Sequence, residues 1–172
     1  FILKDDRVNI FFESDLILKE KDHKYCYILA ADAVGFSKLV SQNEASTLEE
    51  LRICFNIFTK AIGAFNGRVF HSAGDSIFAE FSSANSAVQA SIQAQKDIFA
   101  RTKTQKNRSD LVFRVGIDCG EVRIDGDNLL GEAVNFAARL ESFAQHGGIS
   151  ISKAIRRELD DDELTFTNHG LI

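Results

Sequence analysis

Tryptophan, methionine and proline are absent from this chain, and tyrosine occurs only twice. Fifteen phenylalanines carry most of the aromatic content. The expected core is therefore phenylalanine packed among aliphatic side chains. Starting at Phe1 and lacking methionine, the chain reads as a fragment of a longer protein, or as a sequence limited to its ordered residues. No apolar run approaches the roughly 20 residues needed to cross a bilayer, and no secretory signal is visible. Three widely spaced cysteines, Cys26, Cys54 and Cys119, form no CxxC pair and have no histidine at metal-ligand spacing. They read as small buried hydrophobes in a reducing compartment. The expected location is the cytoplasm, in a free domain or as the cytoplasmic part of a larger or membrane-anchored protein.

Basic charge is also short. The net charge of -5 argues against a general binder of nucleic acid or membrane surface, since both need a basic footprint. It leaves a nucleotide substrate open, because metal ions and a few local donors can neutralise a triphosphate. The 172 residues suggest one domain, and 45% hydrophobic with 26% charged residues is an ordinary globular balance.

Residues 1–24 read as a linker or the trailing edge of an upstream sensor or membrane module, with the domain proper over 25–172. A continuous apolar run over 25–31 predicts a buried central strand. Leu48, Leu51, Phe55, Phe58, Ile62 and Phe65 recur at helical spacing and predict a helix over 44–65, closed by Asn66-Gly67. Arg68 to Phe81 predicts a hairpin with Gly74-Asp75 at its tip. A second amphipathic helix follows through Ala84, Ala87, Val88, Ile92, Gln95, Ile98 and Phe99, then a polar loop over 101–110. Leu111–Cys119 and Glu121–Ile124 are expected to form a hairpin around Gly120, and 125–128 a turn. A third helix is expected over 131–144, ended by His146-Gly147-Gly148. A short strand over 149–152, a short helix over 153–159, an acidic turn and a last strand over 164–167 complete the chain. This order predicts an α/β (α+β) sandwich with a ferredoxin-like βαββαβ core and additional C-terminal elements. Its helices would cover one sheet face and leave the other for binding or dimerisation.

Two aspartates stand out. Asp32 closes the apolar run Ile28-Leu29-Ala30-Ala31, and Asp75 sits in Ala73-Gly74-Asp75-Ser76 between apolar segments. A carboxylate at the end of a buried strand is costly unless solvated, paired or metal-bound. Taken singly, Asp32 fits a helix N-cap and Asp75 ordinary hairpin-turn chemistry. Together they could hold two metal ions against a triphosphate. The small turn Val34-Gly35-Phe36-Ser37 after Asp32 leaves backbone amides free to approach phosphate. Asn135 and Arg139 lie four apart, on one face of the third helix. Arg139 offers a planar fork of donors to developing negative charge, while the plain alternative is an arginine snorkelling to water.

Four segments, in order, resemble the class III nucleotidyl cyclases of the bacterial adenylate cyclase type. They are 28–37 around Asp32, 73–81 around Asp75, Arg114-Val115-Gly116-Ile117, and 131–141 around Asn135 and Arg139. The resemblance covers roughly residues 25–170. It implies a head-to-tail homodimer with interfacial sites. Asp32 and Asp75 of one subunit would bind two Mg²⁺ (or Mn²⁺), and Asn135 and Arg139 of the other would complete the site. Val34, Gly35, Phe36 and Ser37 would meet the phosphates of the nucleoside triphosphate. The reaction implied is attack of the ribose 3′-hydroxyl on the α-phosphate, giving a 3′,5′-cyclic nucleotide.

Base recognition departs from the pattern. His71 stands where adenylate cyclases usually carry lysine, and Asn128 where they carry aspartate or threonine. The usual guanylate pair is absent too, and the late triphosphate-binding lysine is not visible. His71 and Asn128 can both donate and accept, so ATP leads, with GTP or a pyrimidine triphosphate behind it. A silent cyclase-like domain that only binds and signals is a further alternative. A diguanylate cyclase ranks last, because its Gly-Gly-(Asp/Glu)-(Glu/Asp)-Phe turn is missing.

Overall fold

The computed structural model describes residues 22–104, 111–159 and 164–167. The expectations for residues 1–21 and for the acidic turn at 160–163 lie outside them. The central strand β1 (His23–Ala33) starts two residues before the expected one. It is followed by α1 (Phe36–Gln42), α2 (Glu44–Ala64), β2 (Arg68–Ala73), β3 (Ser76–Phe81) and α3 (Ala84–Thr104). Then come β4 (Phe113–Asp125), β5 (Asn128–Leu130), α4 (Glu132–Phe143), β6 (Ile149–Ile151) and α5 (Lys153–Glu158). The sheet order β2-β3-β1-β4-β5, with β6 parallel to β4, contains the ferredoxin-like arrangement that the element order predicts.

β1 alternates between two cores because successive strand residues point to opposite faces. Leu29, Ala31 and Ala33 pack with Phe81, Val115, Ile117 and the apolar sides of α2 and α3. The rings of Phe58 and Phe113 meet edge-on at 5.1 Å in this layer. Cys26, Ile28 and Ala30 face the other way, against Phe70, Val122, Leu129 and the α4 residues Ala133 and Ala137. The expectation of helices on one face only is thus corrected. α4 is short, and its small residues let it lie on the second face.

Several local expectations change for the same kind of reason. Residues 111–124 do not turn at Gly120. β4 runs straight through and pairs with β1 from Ala33↔Phe113 to His23↔Arg123. Gly120 is small because α4 rests on it: a Cβ there would stand 3.3 Å from the Ala133 methyl. Asn128, expected in a turn, opens β5. α3 runs on to Thr104, into the expected loop, and α1 is a helix the sequence reading omitted. Leu164–Thr167 carries no strand. On α2, Leu48 is 47% exposed while Glu50 is buried. Its face is turned because Arg101 of α3 reaches Glu50 at 2.8 Å. Asn43 caps α2 by accepting a bond from the Ser46 amide, and Asn66, at φ 58, ends it. The three cysteines are free and buried. Burial pushes the Cys26 thiol up to about 11 and the Cys54 thiol up to about 12, away from thiolate chemistry.

Gly116 sets how close α4 comes to the sheet. A Cβ there would lie 2.1 Å from the Ala137 carbonyl oxygen and 2.2 Å from the Glu141 amide nitrogen. Both are backbone atoms, so Gly116→Ala must push the helix away. The expected cost is about 1–3 kcal/mol, read as a lower denaturation midpoint. An unchanged midpoint would mean that α4 does not rest on this residue.

Candidate functional site

The end of β1 gathers charge. Asp32 is the penultimate residue of the strand, on the α4 side by its alternation with Ile28 and Ala30. Register places it between Ser76 of β3 and Arg114 of β4. The Ser76 hydroxyl donates to Asp32 Oδ1 at 2.7 Å, and Arg114 Nη2 stands 3.6 Å from Oδ2. Asp32 therefore does not cap a helix: Gly35, in the left-handed region, occupies that position for α1. Asp75 sits in the β2–β3 turn, immediately before Ser76. The Ala33 amide donates to the Asp75 carbonyl at 3.3 Å, which draws the turn onto the end of β1.

A third carboxylate completes the group. Glu141 of α4 is buried, and its Oε1 lies 2.8 Å from Arg114 Nε. Both atoms are out of solvent, yet the N–H is not aligned for a hydrogen bond, so the attraction is that of an ion pair. Three carboxylates against one guanidinium leave the sheet end negative. Burial raises the Asp75 carboxyl above its ordinary value, and the nearby Asp32 charge adds to the effect. Burial likewise raises Glu141, opposed by Arg114 and reinforced by Asp32 and Asp75. The sequence reading gave neither Arg114, Ser76 nor Glu141 a role, although all three lie within the segments that carry the family likeness.

Among the described residues, no group of three or more His, Cys, Asp or Glu side chains is placed to hold a metal ion. Asp32 and Asp75 offer oxygen donors only, which suits a hard cation. Mg²⁺ in particular keeps several waters and is commonly held by one or two carboxylates plus substrate phosphates. The donor set fits that ion, with its remaining ligands coming from water and substrate.

The turn after Asp32 is partly committed. The Val34 amide donates to the Val112 carbonyl at 2.8 Å, so this amide is not available to a phosphate, contrary to expectation. Phe36 and Ser37 precede the first intrahelical bonds of α1, which run from Lys38 and Leu39 to the Gly35 carbonyl. A cavity of about 320 Å³ opens here, lined by Val34, Gly35, Lys38, Leu39, Gln42, Val112 and His146.

His71 and Asn128 lie on the two outermost strands, and both are exposed. A register shift between Val69 and His71 puts Phe70 and His71 both beside Phe78, with ring centroids 6.1 and 6.0 Å away. Arg68 Nη1 donates to the Asp127 carbonyl at 3.0 Å. That bond ties the start of β2 to the turn before β5, so the edge strands that carry His71 and Asn128 approach each other. Asn135 and Arg139 share the solvent side of α4, opposite the buried Ala133, Ala137, Leu140 and Glu141. Arg139 lies over the Phe136 ring at 5.8 Å. Among the described residues, no hydrogen bond or ion pair joins Asn135 or Arg139 to Asp32 or Asp75 within one chain.

Residues 18–172 match the family described as the adenylate and guanylate cyclase catalytic domain. A Rhizobium meliloti protein named, provisionally, adenylate cyclase 3 is 37% identical over 129 residues, 74% of this chain and 22% of that protein. An adenylate cyclase from Streptomyces coelicolor is 28% identical over 130 residues, 75% of this chain and 32% of that protein. The chain thus spans less than a third of the length of these curated relatives. The crystal structure of the adenylate/guanylate cyclase/hydrolase from Silicibacter pomeroyi superposes with a TM-score of 0.75 and 29% identity, covering 87% of this chain and 88% of that one.

The raised Asp75 carboxyl has a consequence for stability. Its folded value lies above its unfolded one, so the folded chain holds the proton more tightly. Stability then falls as pH rises through that interval, and the cost is complete above it. In metal-free buffer at pH 7, Asp75→Asn is expected to melt higher than the parent. The gain should vanish as pH falls below the ordinary carboxylate range. A lower Tm for Asp75→Asn at pH 7 would contradict the assignment.

Proposed function

The chain belongs to the adenylate and guanylate cyclase catalytic domain family, and on that premise we propose that it converts ATP to 3′,5′-cyclic AMP and pyrophosphate. The observation that carries this reading is the Asp32–Asp75 carboxylate pair at the end of β1, with Ser76 fixing one oxygen of Asp32. Asp32 and Asp75 would hold two Mg²⁺ (or Mn²⁺). When bound, the ions supply a lowered pKa at the ribose 3′-hydroxyl and charge neutralisation at the leaving pyrophosphate.

The chain's own groups do the positioning. The 3′-oxygen forms a bond to the α-phosphorus, the bond from that phosphorus to the bridging oxygen of the β-phosphate breaks so that pyrophosphate leaves, and the hydroxyl proton passes to water. The Phe36 and Ser37 amides face the phosphates at the start of α1. His71 and Asn128 read the base edge, with the neutral donor-and-acceptor capacity of Asn and His suited to adenine N1 and N6. Asn135 would orient the ribose, and Arg139 would follow the charge that grows on the phosphorus centre.

Asn135 and Arg139 are exposed on α4 and, among the described residues, make no hydrogen bond or ion pair to the aspartates of their own chain. A complete site then calls for a second copy of the chain, with two such sites across the interface of a homodimer. The names of the relatives support the adenylate type. The pair His71/Asn128 keeps GTP and pyrimidine triphosphates as the second reading.

The direct test is product formation from ATP, GTP, CTP and UTP, each with Mn²⁺ and with Mg²⁺, resolved by mass. Cyclic AMP from ATP alone is expected. A different cyclic product would make His71/Asn128 the specificity switch, and no product from a verified dimer would favour a silent binding domain. Asp32→Ala and Asp75→Ala should each lower turnover by at least about 10²-fold while leaving the circular dichroism spectrum unchanged. Mixing Asp75→Ala with Arg139→Ala should restore one working site per heterodimer. Failure in a verified heterodimer would rule out sites shared across the interface.

A further inference from the structure

Arg114 sits between two carboxylates that belong to different parts of the fold. Asp32 faces it across the β1–β4 ladder, and Glu141 reaches it from α4. The guanidinium divides its donors three ways. Nε lies 2.8 Å from Glu141 Oε1, Nη1 donates to the Ser142 carbonyl at 3.3 Å, and Nη2 stands 3.6 Å from Asp32 Oδ2. Arg114 is therefore closer to Glu141 than to the aspartate it faces in register. The backbone of Glu141 is fixed, because it is pressed against Gly116 with no room for a Cβ between them.

We propose that Arg114 is the resident counterion of Asp32, and that Glu141 is the positioning residue that draws its guanidinium back so that Asp32 stays open to a divalent cation. This rests on the metal-binding reading of Asp32 and Asp75 given above. An arginine can compete with a metal ion for the same carboxylate oxygens, and it cannot be neutralised by losing its proton. A free Arg114 would close on Asp32 to a bidentate pair, the favoured geometry between these groups. Glu141 and the Ser142 carbonyl hold two of its three donor directions, leaving one long contact to Asp32. The cluster also stays attractive to that cation, since Asp32, Asp75 and Glu141 outnumber the one arginine.

Mn²⁺ binding to the nucleotide-free protein, followed by electron paramagnetic resonance, tests this without any turnover. Glu141→Gln should weaken Mn²⁺ binding about tenfold, within the range of coupling between residues of one salt-bridge network. Arg114→Gln should tighten it by several-fold. The deciding measurement is Glu141→Gln in the Arg114→Gln background, where its cost should shrink to less than about threefold because Glu141 then has no guanidinium to hold. An equal cost in both backgrounds would mean that Glu141 acts only as a negative charge, and the inference would fall. Glu141→Asp keeps the charge but shortens the reach, so a wild-type affinity there would also overturn it. Should Glu141→Gln not fold, Arg114→Gln still decides, because unchanged Mn²⁺ affinity in that variant contradicts a competing counterion. Absence of Mn²⁺ binding in the unmodified protein, or binding that survives in Asp32→Ala with Asp75→Ala, would instead remove the metal reading, and the inference with it.

Discussion

The double pairing of β1 is the constraint on which the rest depends. β3 lies along one edge and β4 along the other, both antiparallel. That arrangement buries the strand and makes its face alternate between two cores. It also fixes what stands beside its last residues. A slip of one residue in either ladder would turn Asp32 from the α4 side into the layer filled by α2 and α3, where an unpaired carboxylate would be strongly disfavoured. Apolar burial along Ile28, Leu29, Ala30 and Ala31 therefore sets the register, and the register sets the site.

The charge cluster at the strand end is stabilised only in part. Ser76 holds one oxygen of Asp32, Arg114 stands 3.6 Å from the other and offsets Glu141, and Asp75 keeps a raised carboxyl with no ion pair of its own among the described residues. A fold selected for stability alone would gain by replacing one carboxylate here with a neutral group. Three carboxylates beside one arginine are in keeping with the cation-binding role proposed for this end of the sheet. The remaining groups are arranged around this end rather than inside it. Asn135 and Arg139 face outward from α4, and the edge strands bearing His71 and Asn128 are drawn together by Arg68.

Much of the local structure is legible in the sequence because it follows from short-range rules. The central strand shows as a continuous apolar run, α2 as a helical period ended by Asn66-Gly67, and the β2–β3 hairpin as a glycine turn between apolar segments. The misreadings share a cause. Gly120 looks like a turn because glycine commonly punctuates strands, but it is small so that Ala133 can pack on it. Leu48 fits the apolar period of α2, yet Arg101 turns that face toward Glu50, fifty-one residues away in sequence. Val34 looks free to meet an anion until the chain folds and Val112 takes its amide.

By itself the sequence determined which chemical groups exist and which secondary elements carry them. Asp32 ends a strand, Asp75 follows a turn glycine, and Asn135 and Arg139 share one face of a helix. These relations depend on strand alternation and helical period, which are properties of neighbouring residues. Tertiary structure alone decided that Arg114 and Glu141 meet at Asp32 and that α4 covers the second face of the sheet. It also decided that β2 and β5 approach at their ends and that Arg68 reaches the turn before Asn128. Those relations depend on ladder register and on how closely a helix can approach a glycine, and residues far apart in the chain settle both.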